Sequence, residues 1–271
     1  MSVNYNGRLT EALPAELADL QRAWSYGDFL FESIRVFDGR IPLMNRHWDR
    51  LNIGLKALGY HIPGHWSDIF FAGEIARVAP PNARVRLTVW RSPGGLYRPT
   101  DHAPCFLIQA TPLSSDRYEW PEEGLRVGVC TNLRIAADAY SGFKALNAPR
   151  YVAAAVEAAR KGWDEALLLN TEGRIAESER GNLFWVERGR AFTPPLSDGC
   201  VTGVMRNLLL TLIPDIQERS LTPTALACAD EVFLSNAVQG LRPVRYFEEK
   251  EYGHVVTRSL FERVAAHLDD V

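Results

Sequence analysis

Lysine is scarce in this chain. Lysine and arginine together number 30 among 271 residues, yet only Lys56, Lys144, Lys161 and Lys250 are lysines. Cysteine is sparse and unpaired: Cys105, Cys130, Cys200 and Cys228 form no CxxC pair and no Cys/His cluster, which excludes a disulfide framework or a structural zinc site. They read as buried, reduced thiols of a cytoplasmic protein. No apolar run approaches a membrane span, and the start MSVNYNGRLTEALPAELADL lacks a signal-peptide pattern. There is no excess of positive charge. A net charge of −3 and a pI near 6.1 argue against a nucleic-acid or anionic-membrane surface. Also missing are internal repeats, a Gly-x-Ser-x-Gly elbow, HExxH, a Walker loop and the Rossmann glycine fingerprint. An apolar fraction of 46% and a charged fraction of 23% leave an ordinary globular protein, able to bury a core as one large domain or two small ones.

Hydrophobic periodicity and turn residues predict mixed α+β structure. SIRVFDGRIPL suggests two short strands around Asp38-Gly39, and NRHWDRLNIGLKALGY a helix stopped by Gly59. ARVRLTVW and PCFLIQATPL read as strands flanking the loop RSPGGLYRPTDHA. The polar stretch SSDRYEWPEEG is the best linker, dividing a small domain (1–113) from a larger one (124–271) across 114–123. Beyond it come the strand LRVGVCTNLRI, a helix from about Pro149 to Gly162, and four short strands in EALLLN, GRIAES, NLFWVER and RAFTPP. TGVMRNLLLTLI is a helix opening on a glycine, and TPTALACADEVFLSN passes from helix to strand. A hairpin in PVRYFEEKEYGHVV precedes a last helix in SLFERVAAHL.

Three lysines have plain explanations. Lys56 lies on an amphipathic helix, Lys161 near a helix C-terminus, and Lys250 in the acidic turn EEKEYG. Lys144 differs. It stands between the small-residue loop AADAYSG and a helical run, flanked by Phe143, Ala145 and Leu146, which would desolvate it and favour the neutral nucleophilic amine. Such an amine condenses with an aldehyde, as arginine cannot. Taken alone, an exposed lysine at a helix start is the ordinary reading. A Schiff-base cofactor such as pyridoxal phosphate would also need an anion site and an acid partner for its ring nitrogen. The glycine before VMRNLLL offers backbone N–H groups at Val204 and Met205, and GRIAESERGNLFWV places Glu177 at a strand end.

In order along the chain, YGDFLFESIRVFDG, HWDRL, KALN, WDEALLLNTEGRIAESERGNLFWV, TPPLSDGCVTGVMR and DEVFLSNAVQGLRPV resemble the class IV aminotransferase family. These are fold-type IV pyridoxal-phosphate enzymes: branched-chain and D-amino acid aminotransferases and aminodeoxychorismate lyases. The resemblance implies a two-domain α+β fold, with Lys144 in the larger domain as the Schiff-base residue that also shuttles the substrate's α-proton. It implies Glu177 facing the pyridine nitrogen, Arg50 clamping the phosphate with Val204, Met205 and the Asn236–Ala237 turn, and His47 supporting Arg50. It further implies a homodimer with its active site at the domain junction, and no metal. Departures exist. Met205 replaces a common threonine, Ala237 stands near a common hydroxyl position, and Phe29 replaces a usual glycine. KALN, rather than a Gly-rich run, follows the lysine, and GVMR with SNA looks more like the lyases.

Substrate recognition demands at least one carboxylate partner. The candidates are Arg35, Arg91, Tyr97 and Arg98, with Phe31 continuing the face shared by Ser33 and Arg35. The expected activity is transfer of an amino group between an amino acid and a 2-oxo acid through a pyridoxamine form. The alternative is elimination of pyruvate from aminodeoxychorismate, giving 4-aminobenzoate. A catalytically silent binding protein is a third reading, opposed by joint retention of the lysine, glutamate and arginine.

Overall fold

A computed structural model describes residues 3–10, 20–145 and 148–269; Leu146 and Asn147, part of KALN and of the apolar flank of Lys144, lie outside them. The chain divides into two compact units, 1–117 with 143–147, and 118–142 with 148–271.

The first unit contains β1 (Val3–Tyr5), β2 (Arg8–Thr10), α1 (Gln21–Tyr26), β3 (Phe29–Val36), α2 (Met44–Ala57), α3 (Asp68–Ala76), β4 (Ala83–Arg91) and β5 (Pro104–Pro112). The strands form an antiparallel sheet in the order β2-β1-β5-β4-β3. In β3 every second residue is buried (Leu30, Glu32, Ile34 and Val36), and α2 packs Met44, Leu51 and Leu55 into the same core as Val85, Leu87 and Val89 of β4. The alternation that makes this strand therefore puts one carboxylate among aliphatic side chains. Sequence periodicity misses α3, whose start is fixed by Ser67 accepting the Phe70 N–H at 3.1 Å.

The second unit contains β6 (Leu125–Ile135), α4 (Pro149–Lys161), β7 (Glu165–Asn170), β8 (Ile175–Ser178), β9 (Asn182–Glu187), β10 (Arg190–Thr193), α5 (Val204–Leu212), β11 (Gln217–Glu218), α6 (Pro223–Ala227), β12 (Glu231–Asn236), β13 (Gly240–Phe247), β14 (Lys250–Glu251) and α7 (Val255–Asp269). The sheet runs β11-β10-β9-β12-β13-β6-β7-β8, and β8 pairs back onto β9, so the strands from β9 round to β8 form a closed ring. Closure removes edges that would otherwise invite foreign strands. The parallel neighbours β6 and β7 are bridged by α4, which buries Ala154 and Ala158 and ends at Gly162 in the left-handed region (φ 69°).

Several expectations change. Asp38 and Gly39 do turn at positive φ, but only a Phe37–Arg40 bridge follows, because Pro42 has no N–H to continue a ladder and α2 begins at Met44. The last helix starts earlier than SLFERV, at Val255: Glu231, distant in sequence, accepts the N–H groups of Val256 and Thr257, each at 2.8 Å. The Lys144 segment, expected in the larger domain, clusters with the first unit, since Phe31 N–H donates to the Lys144 carbonyl (2.9 Å) and Leu30 bridges Ala145. Cys105, Cys130 and Cys200 are buried free thiols, whereas Cys228 is exposed. No helix among the described residues is long and apolar enough to cross a membrane.

Candidate active site

Glu32 is the charged exception on the core face of β3, and α2 supplies its partners from one face, a turn apart. Arg50 grips both carboxylate oxygens, Nε at 2.8 Å from Oε1 and the second nitrogen on Oε2, while His47 Nδ1 lies 2.6 Å from Oε2. Burial alone would raise the Glu32 pKa; the Arg50 charge, helped by His47, overcomes it and holds the group at about 2. Burial, assisted by the charges of Arg50 and Lys144, lowers the His47 pKa against the pull of Glu32. The guanidinium that the sequence assigned to an anion is thus oriented by an ionised carboxylate, its side chain only 9% exposed.

Arg50, Glu32, Phe31 and Lys144 line one shallow concavity with Leu30, Leu51, Gly54 and Phe143. Lys144 is half-buried, and its Nζ lies 4.9 Å from the centre of the Phe31 ring. Arg86 of β4 sits 4.0 Å from the same ring, and burial, then the charge of Arg84, lowers its pKa. Among the described residues the Arg86 side chain makes no hydrogen bond or ion pair. The wall beside Lys144 is therefore an aromatic ring with a cation stacked on it.

The other substrate candidates separate by environment. Arg91 is buried, donating to Asp28 (3.0 Å), Leu58 O (2.7 Å) and Gly59 O (3.3 Å), and it stacks on Tyr60 at 4.0 Å. It braces this end of the sheet. Arg35 donates to the carbonyls of Ser115 (2.5 Å) and Arg117 (3.3 Å) and lies over Phe37. Tyr97 is 87% exposed and packs on Tyr26, and Arg98 is exposed with no hydrogen bond or ion pair among the described residues. Buried Arg22 anchors their loop through the carbonyls of Gly94, Leu96 and Tyr97.

In the second unit Glu177 is 3% exposed and lies at the single β8–β9 pairing that closes the ring, opposite Asn182. The Tyr151 hydroxyl donates to its Oε1 at 2.7 Å; Val201 N–H (3.0 Å) and Asn182 Nδ2 (3.4 Å) donate to Oε2. Neighbouring acids stay neutral: burial and then the Glu177 charge push the Cys200 thiol up to about 12 and raise the Tyr151 phenol well above its ordinary value. Helix α5 follows Gly203 with no side-chain cap, leaving the helix N-terminus at Val204 and Met205 without a side-chain acceptor. A Cβ on Gly181 would come within 2.5 Å of the Ser235 backbone carbonyl, so only glycine fits there, and one on Gly203 would come within 1.8 Å of Asn182 Oδ1, so the Asn182 side chain would have to shift. In the Asn236–Ala237 turn, the Asn236 Oδ1 accepts from Val238 N–H (3.0 Å) and Gln239 N–H (2.8 Å), and the Ala237 carbonyl accepts from Tyr118 (2.6 Å).

Sequence reasoning missed Glu32, Arg86 and Tyr151. Glu32 carried a signal, being a carboxylate in phase with Leu30 and Ile34. Arg86 depends on the β3–β4 register that sets Ser33 opposite it, and Tyr151 on a contact across 26 residues.

The amino-transferase class IV family model matches residues 29–247. An aminodeoxychorismate lyase of Vibrio harveyi is 28% identical, over 82% of this chain and 84% of its own. A solved 4-amino-4-deoxychorismate lyase from Pseudomonas aeruginosa is 29% identical with a TM-score of 0.82, covering 98% of this chain and 99% of that one. A branched-chain aminotransferase from Thermoproteus uzoniensis, solved with norvaline, is 25% identical with a TM-score of 0.87, covering 99% and 95%.

Proposed function

Since the chain belongs to the class IV amino-transferase family, we propose that it moves an amino group between an amino acid and a 2-oxo acid with pyridoxal phosphate as cofactor. The observation that carries the reading is a half-buried lysine amine sharing one concavity with a carboxylate-oriented guanidinium. The donor set suits the cofactor: an amine for its aldehyde, cations and an uncapped helix start for its phosphate, and a buried carboxylate for its ring nitrogen.

The cofactor, when bound, supplies a ring that takes up the electron pair left at a substrate's α-carbon. The chain's own groups do the rest. Lys144 Nζ would hold the cofactor and move the α-proton, with the Phe31 ring beside it limiting the water that reaches that amine. Arg50, fixed by Glu32, would hold the phosphate by its guanidinium, and the N–H groups of Val204 and Met205 at the start of α5 would suit the same anion. The Asn236 side chain is occupied in shaping its own turn, so this turn contributes through backbone groups around Ala237. Glu177 would pair with the ring nitrogen, and Arg86 would take a substrate carboxylate.

A second reading, elimination of pyruvate from aminodeoxychorismate, is favoured by one observation. Met205 and Ala237 bring no hydroxyl to the phosphate side, and Met205 is fully buried. Both readings use the same cofactor residues. The test is the visible spectrum of the purified protein during titration with D- and L-amino acids. A band that a simple amino acid bleaches supports transfer and identifies the donor. A band unmoved by the whole panel, but consumed with release of pyruvate from aminodeoxychorismate, supports elimination. A colourless protein that takes up no pyridoxal phosphate, or a Lys144→Ala variant with an unchanged band, refutes both.

A further inference from the structure

We propose that Tyr151 is a positioning residue for Glu177: its phenol holds one carboxylate oxygen and draws charge from it, and so sets how firmly Glu177 grips the cofactor's ring nitrogen. The proposal rests on the reading of Glu177 given above.

Glu177 lies where the sheet closes, its backbone paired with Leu168 of β7 on one side and with Asn182 of β9 on the other, so what remains to be fixed is its side chain. Its two oxygens are held from different directions. Oε2 receives Val201 N–H and Asn182 Nδ2, both close to the β8–β9 seam and the start of α5, whereas Oε1 receives the phenol from α4. The phenol thus fixes the rotation of the carboxylate about its own axis, which the seam contacts do not. Burial beside the carboxylate keeps Tyr151 protonated, so it donates at every working pH. A donated hydrogen bond withdraws negative charge from a carboxylate and weakens it as a base. Without the phenol, Glu177 is the stronger base, and a proton shared with a ring nitrogen is drawn from that nitrogen toward the carboxylate.

The test uses the holoprotein loaded with pyridoxal phosphate labelled with 15N in the ring, without substrate, and reads the ring-nitrogen NMR signal at fixed pH. Two variants bracket the wild type: Y151F removes the donor, and 3-fluorotyrosine placed at 151 makes the same donor stronger. The expected result is displacement in opposite directions. Y151F moves the signal toward neutral pyridine, and fluorotyrosine moves it toward the fully protonated pyridinium position. A role confined to packing leaves both at the wild-type position, and that result overturns the proposal while the assignment of Glu177 stands. If Y151F does not fold, fluorotyrosine keeps the contact and decides alone. If Glu177→Gln leaves the ring signal of the bound cofactor unchanged, the assignment of Glu177 fails, an outcome distinct from failure of the Tyr151 proposal.

Discussion

Replacing Glu32 by glutamine keeps the shape of the buried Glu32–Arg50–His47 cluster and removes its charge. The carboxyl group is held at about 2 against an ordinary 4.5, a displacement equivalent to about 3 kcal/mol of folding free energy. The sign follows from which state takes the proton first. On acidification the unfolded chain protonates this group near pH 4.5, whereas the folded chain resists until about pH 2. Its stabilisation is therefore fully present above about pH 5 and is lost as the pH falls through 2. His47 adds its own acid loss in both proteins, but that begins higher, below pH 6.5, because its folded pKa is lowered. Urea unfolding at a series of pH values gives the assay. At pH 6 Glu32→Gln is expected to be about 3 kcal/mol less stable than wild type, with the gap closing steadily below pH 4.5. Two curves that run parallel from pH 6 to pH 2.5 would refute the argument, because the charge of Glu32 would then contribute nothing specific to the fold.

Glu179 gives the opposite sign. Burial, then the nearby charge of Glu165, raises its pKa to about 7; only Oε2 has a donor, Ala166 N–H at 2.6 Å, and Oε1 has none among the described residues. Wild type loses stability as the pH rises from 4.5 past 7, so Glu179→Gln is expected to be about 1–2 kcal/mol more stable at pH 8.5 and equal at pH 4.5, by urea unfolding at both. Arg86→Gln is expected to raise KM for the substrate about tenfold or more, with kcat and pyridoxal phosphate uptake much less affected. Steady-state kinetics that show a fall in kcat at unchanged KM would remove Arg86 from substrate binding.

The sequence was informative wherever a residue's chemistry was unusual for its surroundings. Lys144 stood out because arginine carries nearly all other positive charge, and α4, α5 and the strands of the ring follow their periodicity and glycine stops closely. What escaped was fixed by pairing. That Arg86 stacks on the Phe31 ring follows from strand register, and that Arg91 turns away from the concavity follows from Asp28 and the Leu58 and Gly59 carbonyls gathered around it. The anchoring of the loop at 92–99 by Arg22 is equally invisible, since backbone carbonyls carry no sequence signature. Assignment of 143–147 to the first unit depends on two backbone contacts to β3 that no side-chain pattern announces.

That five-residue excursion limits how the molecule can be dissected. The chain passes from one unit to the other three times, after residues 117, 142 and 147. A single cut within 114–123 therefore does not free two self-contained pieces. A fragment ending at 117 loses the backbone partners of Leu30 and Phe31, and one starting at 118 keeps Lys144 on a segment deprived of its strand. Any chimera that exchanges the first unit for that of a relative must splice at three points and carry the lysine segment with the sheet it pairs with. A two-part exchange would graft a foreign β3 against the resident 143–147, and misplace the one amine on which the proposed chemistry depends.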